Sequence, residues 1–250
     1  MKFISKLKVI SIYELDNNFF VYNLLNLRTF IKQNLNFLIC CPLVGGGVRR
    51  CYKTRKISLS EFKNWDLDFV CSNIDKIKTI LSNKKRNFKF FYNIKSLHFD
   101  NLQVHQLRSE KFSLEKSKLF FDKANLYDDY LRRDFTFNSM FFFWKTKELI
   151  YFDNSLEDLK QNIIKPIQFD TFKLDCSRIL RYFSLKNEGF SQNEQIEEWI
   201  QSKKCFNLVS KQYKQSLYYK RCTYEKRRSV CIFNEKNMKK YKILKLFIEK

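Results

Sequence analysis

Only four glycines and two prolines occur in the 250 residues of this chain, so the backbone has few places to turn sharply or left-handedly at low cost. Three of the four glycines are contiguous, in "CPLVGGGVRRCYKTRK", Cys41 to Lys56. A tight reversal is therefore expected at Gly45 to Gly47. Five cations follow it directly: Arg49, Arg50, Lys53, Arg55 and Lys56.

A phosphate loop would need G-x-x-x-x-G-K-[ST] opening a helix. Here the glycines are contiguous, no Gly-Lys-Ser/Thr follows, and the dinucleotide fingerprint G-x-G-x-x-G is not met. The sequel reads as extended, so the stretch is expected to be the turn and arm of a β-hairpin. On such an arm Arg49, Lys53 and Arg55 share one face and Arg50 and Lys56 the other. Tyr52 stands among them to stack on a base, a pattern suited to RNA phosphates.

The flanking periodicities define the surrounding elements. "MKFISKLKVISIYEL" reads as a strand. Asp16 is the expected N-cap of a helix whose stripe is Phe20, Leu24, Leu27, Ile31 and Leu35. "NFLICCPLV" reads as a second strand. In "WDLDFV", Trp65, Leu67 and Phe69 alternate with Asp66 and Asp68, a half-buried strand. Ser72 with Asp75 resembles a capping box for a helix with stripe Ile74, Ile77 and Leu81. "NFKFFYNIKSL" reads as a closing strand. The order strand, helix, strand, strand, helix, strand predicts an α+β, ferredoxin-like domain over 1–97: a four-stranded antiparallel sheet with two helices on one face. Residues 98–250 predict a basic C-terminal extension or second domain of mixed helical and hairpin character. In it "FFFWKTKELIYF" reads as a hairpin, Leu156 to Ile164 as a helix, Ser191 with Glu194 as a capping box, and the stretch ending at Leu244, Phe247 and Ile248 as a last helix.

The net charge is +22, which calls for a polyanionic partner. The single alanine and the excess of Lys, Asn, Ile and Phe also mark an A/T-skewed gene, but paired arginines (Arg49-Arg50, Arg132-Arg133, Arg227-Arg228) are less easily produced that way. Lys84, Lys85, Arg86 and Lys89 form a second cationic cluster and a second candidate RNA contact. The eight cysteines include no C-x-x-C pair, and His98 and His105 have no cysteine nearby. No metal and no cofactor are expected, and the cysteines read as small hydrophobes. Asp66 and Asp68 read as the polar face of a strand, and Asp128-Asp129 and Glu197-Glu198 as solvated pairs, so no catalytic residue is expected. No apolar run is long enough to span a membrane.

The fold order and the basic arm resemble ribosomal protein S6, the bacterial and mitochondrial small-subunit family. The resemblance lies in Gly47-Val48-Arg49-Arg50, Tyr52 and Lys56-Ile57, then in "NWDLDFVCSNIDKIKTIL" and "KRNFKFFYNIK". It departs where the family's Leu-Ala-Tyr-Pro is replaced by Cys51-Tyr52-Lys53-Thr54. The resemblance implies a non-enzymatic component of a mitochondrial small ribosomal subunit that binds small-subunit rRNA and an S18-like partner protein. Such a protein would sit in the matrix and be organelle-encoded. Ribosomal proteins S10 and L4, a homing endonuclease or maturase, and a basic accessory subunit on an inner-membrane complex are the alternatives.

Overall fold

The computed structural model describes residues 7–111, 118–121, 124–205 and 207. They fall into two compact units, one within residues 1–110 and 119–159, the other within 111–118 and 160–250.

The first unit is built on a mixed sheet. Its strands are β1 (Leu7–Ser11), β2 (Leu43–Val44), β3 (Leu67–Cys71), β4 (Lys89–Phe91), β5 (Ser96–Phe99) and β6 (Leu102–Gln106), with β9 (Phe141–Phe143) and β10 (Glu148–Phe152). β7 (Ser109–Lys111) and β8 (Lys118–Phe120) pair separately. The eight-stranded order is β1-β10-β9-β2-β3-β6-β5-β4. Among the described pairs of this eight-stranded sheet only β3–β6 is parallel, with Asp68 opposite Gln103 and Val70 opposite His105.

This overturns the four-stranded ferredoxin-like expectation. The strands read at β1, β3 and β4 do form, but β1 pairs with β10, some 140 residues away in sequence, and β6 lies between β3 and the β4–β5 pair. Alternation identifies a strand and the face it buries. It does not identify the neighbour across the ladder. The hairpin read at "FFFWKTKELIYF" is present as β9 and β10. "NFLICCPLV" is mostly not a strand: a 3-10 turn covers Asn36–Leu38, and only Leu43–Val44 pair.

Three longer helices flank this sheet: α1 (Asn18–Asn34), α2 (Gly46–Lys53) and α3 (Ile74–Asn83). The expected stripe of α1 is buried, from Phe20 and Leu24 to Leu27 and Ile31, and so is Ile74, Ile77 and Leu81 of α3. Both caps are asparagines one residue beyond those expected. Asn17 accepts from Phe20 N, and Asn73 from Asp75 N and Lys76 N. α4 (Leu126–Leu131) carries a capping box between Asn125 and Asp128, and α5 (Ser155–Lys160) is the short element in the region read as Leu156 to Ile164.

The second unit holds α6 (Phe169–Phe172), α7 (Cys176–Asn187) and α8 (Glu194–Gln201). Asn193, rather than Ser191, caps α8 by accepting from Ile196 N. A buried polar knot joins α7 to α8: Tyr182 Oη and Lys186 Nζ both donate to Glu197 Oε1, at 2.6 and 2.5 Å. Glu197 is therefore not solvated. Arg227-Arg228 and the helix read near Leu244 lie outside the described residues. Among the described residues no helix is long and apolar enough to cross a membrane.

Candidate active site

The basic stretch after the glycines is a helix, not a hairpin arm. β2 runs into Gly45, whose φ of 76° and ψ of −136° suit glycine alone, and α2 opens at Gly46. Val48 and Cys51, three residues apart, are fully buried, while Arg50 and Lys53 face outward. Gly47 permits the close approach of this helix to the sheet, since a Cβ there would stand 3.2 Å from side-chain atoms of both Leu43 and Leu67. The far end is held by α1. Asn23, fully buried, donates from Nδ2 to the carbonyls of Cys51, Thr54 and Arg55, and accepts from Ile57 N. A strand, a glycine and a helix in succession make the phosphate-cradling geometry that the glycine spacing had argued against. The N-cap has no side chain to cover the first N–H groups, so the positive end of the helix dipole is presented past Gly45.

Three residues from two other segments converge on Gly45. A Cβ built there would lie 3.6 Å from Asp68 Oδ2, 3.6 Å from Arg133 Nη1 and 3.8 Å from the carbonyl of Asn138. Asp68 is in β3, and Asp66 stands just before that strand, exposed. Two residues apart on an extended chain, the two carboxylates share a face. On the neighbouring β6, His105 Nε2 lies 3.9 Å from Asp68 Oδ1. Burial pushes this imidazole well below its usual range, with Arg108, Arg132 and Arg133 adding to the effect, so it is neutral at physiological pH.

The segment Asp129 to Ser139 supplies the other wall. Asp129 is completely buried between two arginines, accepting from Arg132 Nε at 2.7 Å and from Arg133 Nη2 at 2.7 Å. Burial alone would raise its pKa, but the two guanidiniums outweigh it and bring the carboxyl down to about 2. Burial disfavours the charge on Arg133, and the Asp129 carboxylate beside it works in the opposite direction. Asn138 Nδ2 donates to Asp134 Oδ1, and Asn138 Oδ1 accepts from Arg49 Nη1 at 3.1 Å. Asp129 and the Arg132-Arg133 pair are thus structural parts of a site wall, and Asp129 is not a solvated carboxylate.

The ten residues expected to bind RNA are dispersed. Arg49 alone reaches the Gly45 site, through Asn138. Arg50 lies 5.6 Å over the ring of Trp65, and Tyr52 packs edge-on against Phe20. Lys53, Arg55 and Lys56 are exposed at the other end of α2, about 12 Å away along the axis. Lys84, Lys85, Arg86 and Lys89 are exposed where α3 ends and β4 begins.

The site missed by sequence reasoning is Gly45, Asp66, Asp68 and Arg133. Its signal was the pairing of a glycine turn with an Asp-x-Asp strand some twenty residues on. Asp66 and Asp68 are hard oxygen donors of the kind that hold magnesium together with water and substrate phosphates. Among the described residues no group of three or more His, Cys, Asp or Glu gathers into a self-contained cage. Two carboxylates alone would leave most of such a cation's oxygen ligands to other groups.

The chain matches the poly A polymerase head domain over residues 41–165, a span that contains every residue of this site. Its fold is similar to that of a tRNA nucleotidyltransferase solved with a primer tRNA and an incoming ATP analog (23% identity, TM-score 0.58, covering 84% of this chain and 59% of that one). It is also similar to the Thermotoga maritima CCA-adding enzyme complexed with tRNA (17%, 0.59, 97% and 56%). A third is the Bacillus stearothermophilus CCA-adding enzyme in complex with CTP (18%, 0.59, 83% and 48%). The chain spans little more than half the length of these solved chains at most. No curated protein matches it. The head-domain match overturns the resemblance to ribosomal protein S6, and with it the non-enzymatic ribosomal role, the small-subunit rRNA and the S18-like partner. The S10, L4 and endonuclease or maturase alternatives fall as well. A match covering half of the chain shows the family: the chain belongs to the poly A polymerase head domain family.

Proposed function

We propose that this chain carries the catalytic head of an enzyme that transfers a nucleotide from a nucleoside triphosphate to the 3′ end of an RNA of the tRNA class. The observation that carries the reading is the placement of Gly45 and the start of α2 directly against Asp68 and Arg133. The open N-terminus of α2 binds the triphosphate through backbone N–H groups and the helix dipole. Gly45, without a side chain, lets the phosphates approach. Arg49 and Arg133, each fixed by a second hydrogen-bonding partner, place positive charge beside the developing negative charge. Asp66 and Asp68 would hold the divalent cation, which supplies Lewis-acid polarisation of the α-phosphate and neutralises charge on the leaving group. In the transfer the RNA 3′-oxygen bonds to the α-phosphorus as the bond to pyrophosphate breaks. The tRNA class is favoured by the fold neighbours, which were solved with tRNA, CTP and an ATP analog.

The test is extension of a tRNA transcript lacking its three terminal nucleotides, with each labelled nucleoside triphosphate in turn and magnesium present. Incorporation of C and A that ends at a completed terminus is expected, and Asp68→Asn should abolish it. No incorporation by the wild-type chain, with this tRNA or with an oligoadenylate primer, would overturn the reading.

A further inference from the structure

The site at Gly45 leaves the second cationic cluster unused, and the structure gives that cluster a context. From Lys76 to Phe99 the chain holds seven cations and no carboxylate. Lys84 and Lys85 suit the negative end of the α3 dipole. That explanation stops there, because the charge continues on β4 with Lys89. Among the described residues β4 is the last strand of the sheet and pairs on one side only. A lysine on an edge strand also protects against unwanted pairing. Edge protection does not call for exposed aromatic rings, yet Tyr92 is 71% exposed and Phe91 42% exposed.

The rings are held in place. Tyr92 lies edge-on to Phe90, with centroids 4.6 Å apart, and Lys78 Nζ sits 4.9 Å from the Phe90 centroid and 5.2 Å from that of Tyr92. Phe91 packs 4.6 Å from His98 on the adjacent strand. Fixed rings with an open face, flanked by lysines along a strand edge, are the combination that binds single-stranded nucleic acid: rings stack on bases and cations track the phosphates. An anionic membrane would answer the charge alone, and gives no role to two exposed rings held in place by neighbouring side chains.

We propose that the edge formed by Lys78, Lys84, Lys85, Lys89, Phe91 and Tyr92 is a second nucleic-acid site that binds single-stranded RNA. It lies three strand spacings, about 14 Å, across the sheet from the strand that carries Asp68. The surface holds an unpaired RNA segment away from the point of nucleotide transfer. The inference goes beyond the transfer reading and does not depend on it, since binding here involves neither a nucleoside triphosphate nor the carboxylates.

The test is fluorescence anisotropy of a labelled single-stranded oligouridylate with the full chain, in chelator and without nucleotide, over a salt series. Tyr92→Ala should weaken binding about five- to one-hundred-fold, and Tyr92→Trp should keep it. Replacing Lys84, Lys85 and Lys89 together by Gln should lower the salt slope by about 2. All four side chains are exposed, so an unchanged unfolding midpoint certifies the variants. Wild-type affinity and slope in both Tyr92→Ala and the triple variant would overturn the proposal. So would binding to phosphatidylserine vesicles that these changes abolish while RNA binding stays the same. Neither nucleotide nor transfer enters the measurement, so failure of the transfer assay and failure of this one are separate results.

Discussion

Gly45 and Asp68 face each other so closely that a methyl group on the glycine would stand 3.6 Å from the carboxylate oxygen. The three glycines therefore differ sharply in what an alanine costs. Gly45→Ala meets a φ of 76° and should destabilise by about 1–3 kcal/mol. Gly47→Ala crowds Leu43 and Leu67 at 3.2 Å and should cost about 1–3 kcal/mol through overpacking. Gly46→Ala meets nothing within 4 Å and should be neutral or stabilising by up to about 1 kcal/mol. Urea unfolding of the three variants checks the order. Of the two costly changes, only Gly45→Ala should also weaken nucleotide binding beyond its effect on stability.

Asp66 and Asp68 separate function from stability. Asp66 is exposed and Asp68 partly so. Replacing either by Asn should change the unfolding free energy by no more than about 1 kcal/mol. The same changes should lower nucleotide incorporation at least about a hundredfold, the scale of losing one charge-stabilising group. Chelation of divalent cations should reproduce the activity loss in the wild-type chain. A variant that incorporates nucleotide at the wild-type rate would remove its carboxylate from the site.

The parts legible in the sequence were those with several turns of periodicity. α1 repeats its apolar stripe from Phe20 to Ile31, and β3 alternates Leu67 and Phe69 with Asp68. α2 has eight residues and only Val48 and Cys51 to mark its buried side beyond the glycine. Two points at a spacing of three suit a helix but are too few to establish one, and its end is held by Asn23, nearly thirty residues upstream. The site was harder still, because Gly45, Asp68 and Asn138 meet only through β2–β3 pairing and the packing of a later segment. One local signal was available. Asp129 stands three and four residues before Arg132 and Arg133, the spacing of helical ion pairs, which argues against a solvated carboxylate.

That buried trio gives a pH dependence. Asp129 has a folded pKa of about 2 against an ordinary 3.8. A depressed carboxylate stabilises the fold above its unfolded value, and that contribution is lost as pH falls through the folded one. The pair of values corresponds to about 2 kcal/mol, fully present above about pH 4 and lost by about pH 2. Urea midpoints measured across this range should fall for the wild type. Asp129→Asn should flatten that dependence and destabilise at neutral pH by about 3–5 kcal/mol, because Arg132 and Arg133 lose their counter-charge.

Asn23 lies on the face of α1 that buries Phe20 and Leu27, where periodicity alone calls for an apolar side chain. Its amide instead terminates α2 and fixes the irregular segment that leaves it, with bonds of 2.8 to 3.2 Å to Cys51, Thr54, Arg55 and Ile57. Asn23→Leu would match the helix stripe but leave three carbonyls and one N–H without their partner. The loss should exceed that of one buried unsatisfied group, about 1–3 kcal/mol, and read out as a lower urea midpoint. Asn23→Asp keeps the acceptor for Ile57 N but turns a charge toward three carbonyls, so it should destabilise at neutral pH and recover partly on acidification. Hydrogen exchange should show α2 opening ahead of α3 in both variants. Protection of α2 equal to wild type would show that the glycine-led helix stands without Asn23.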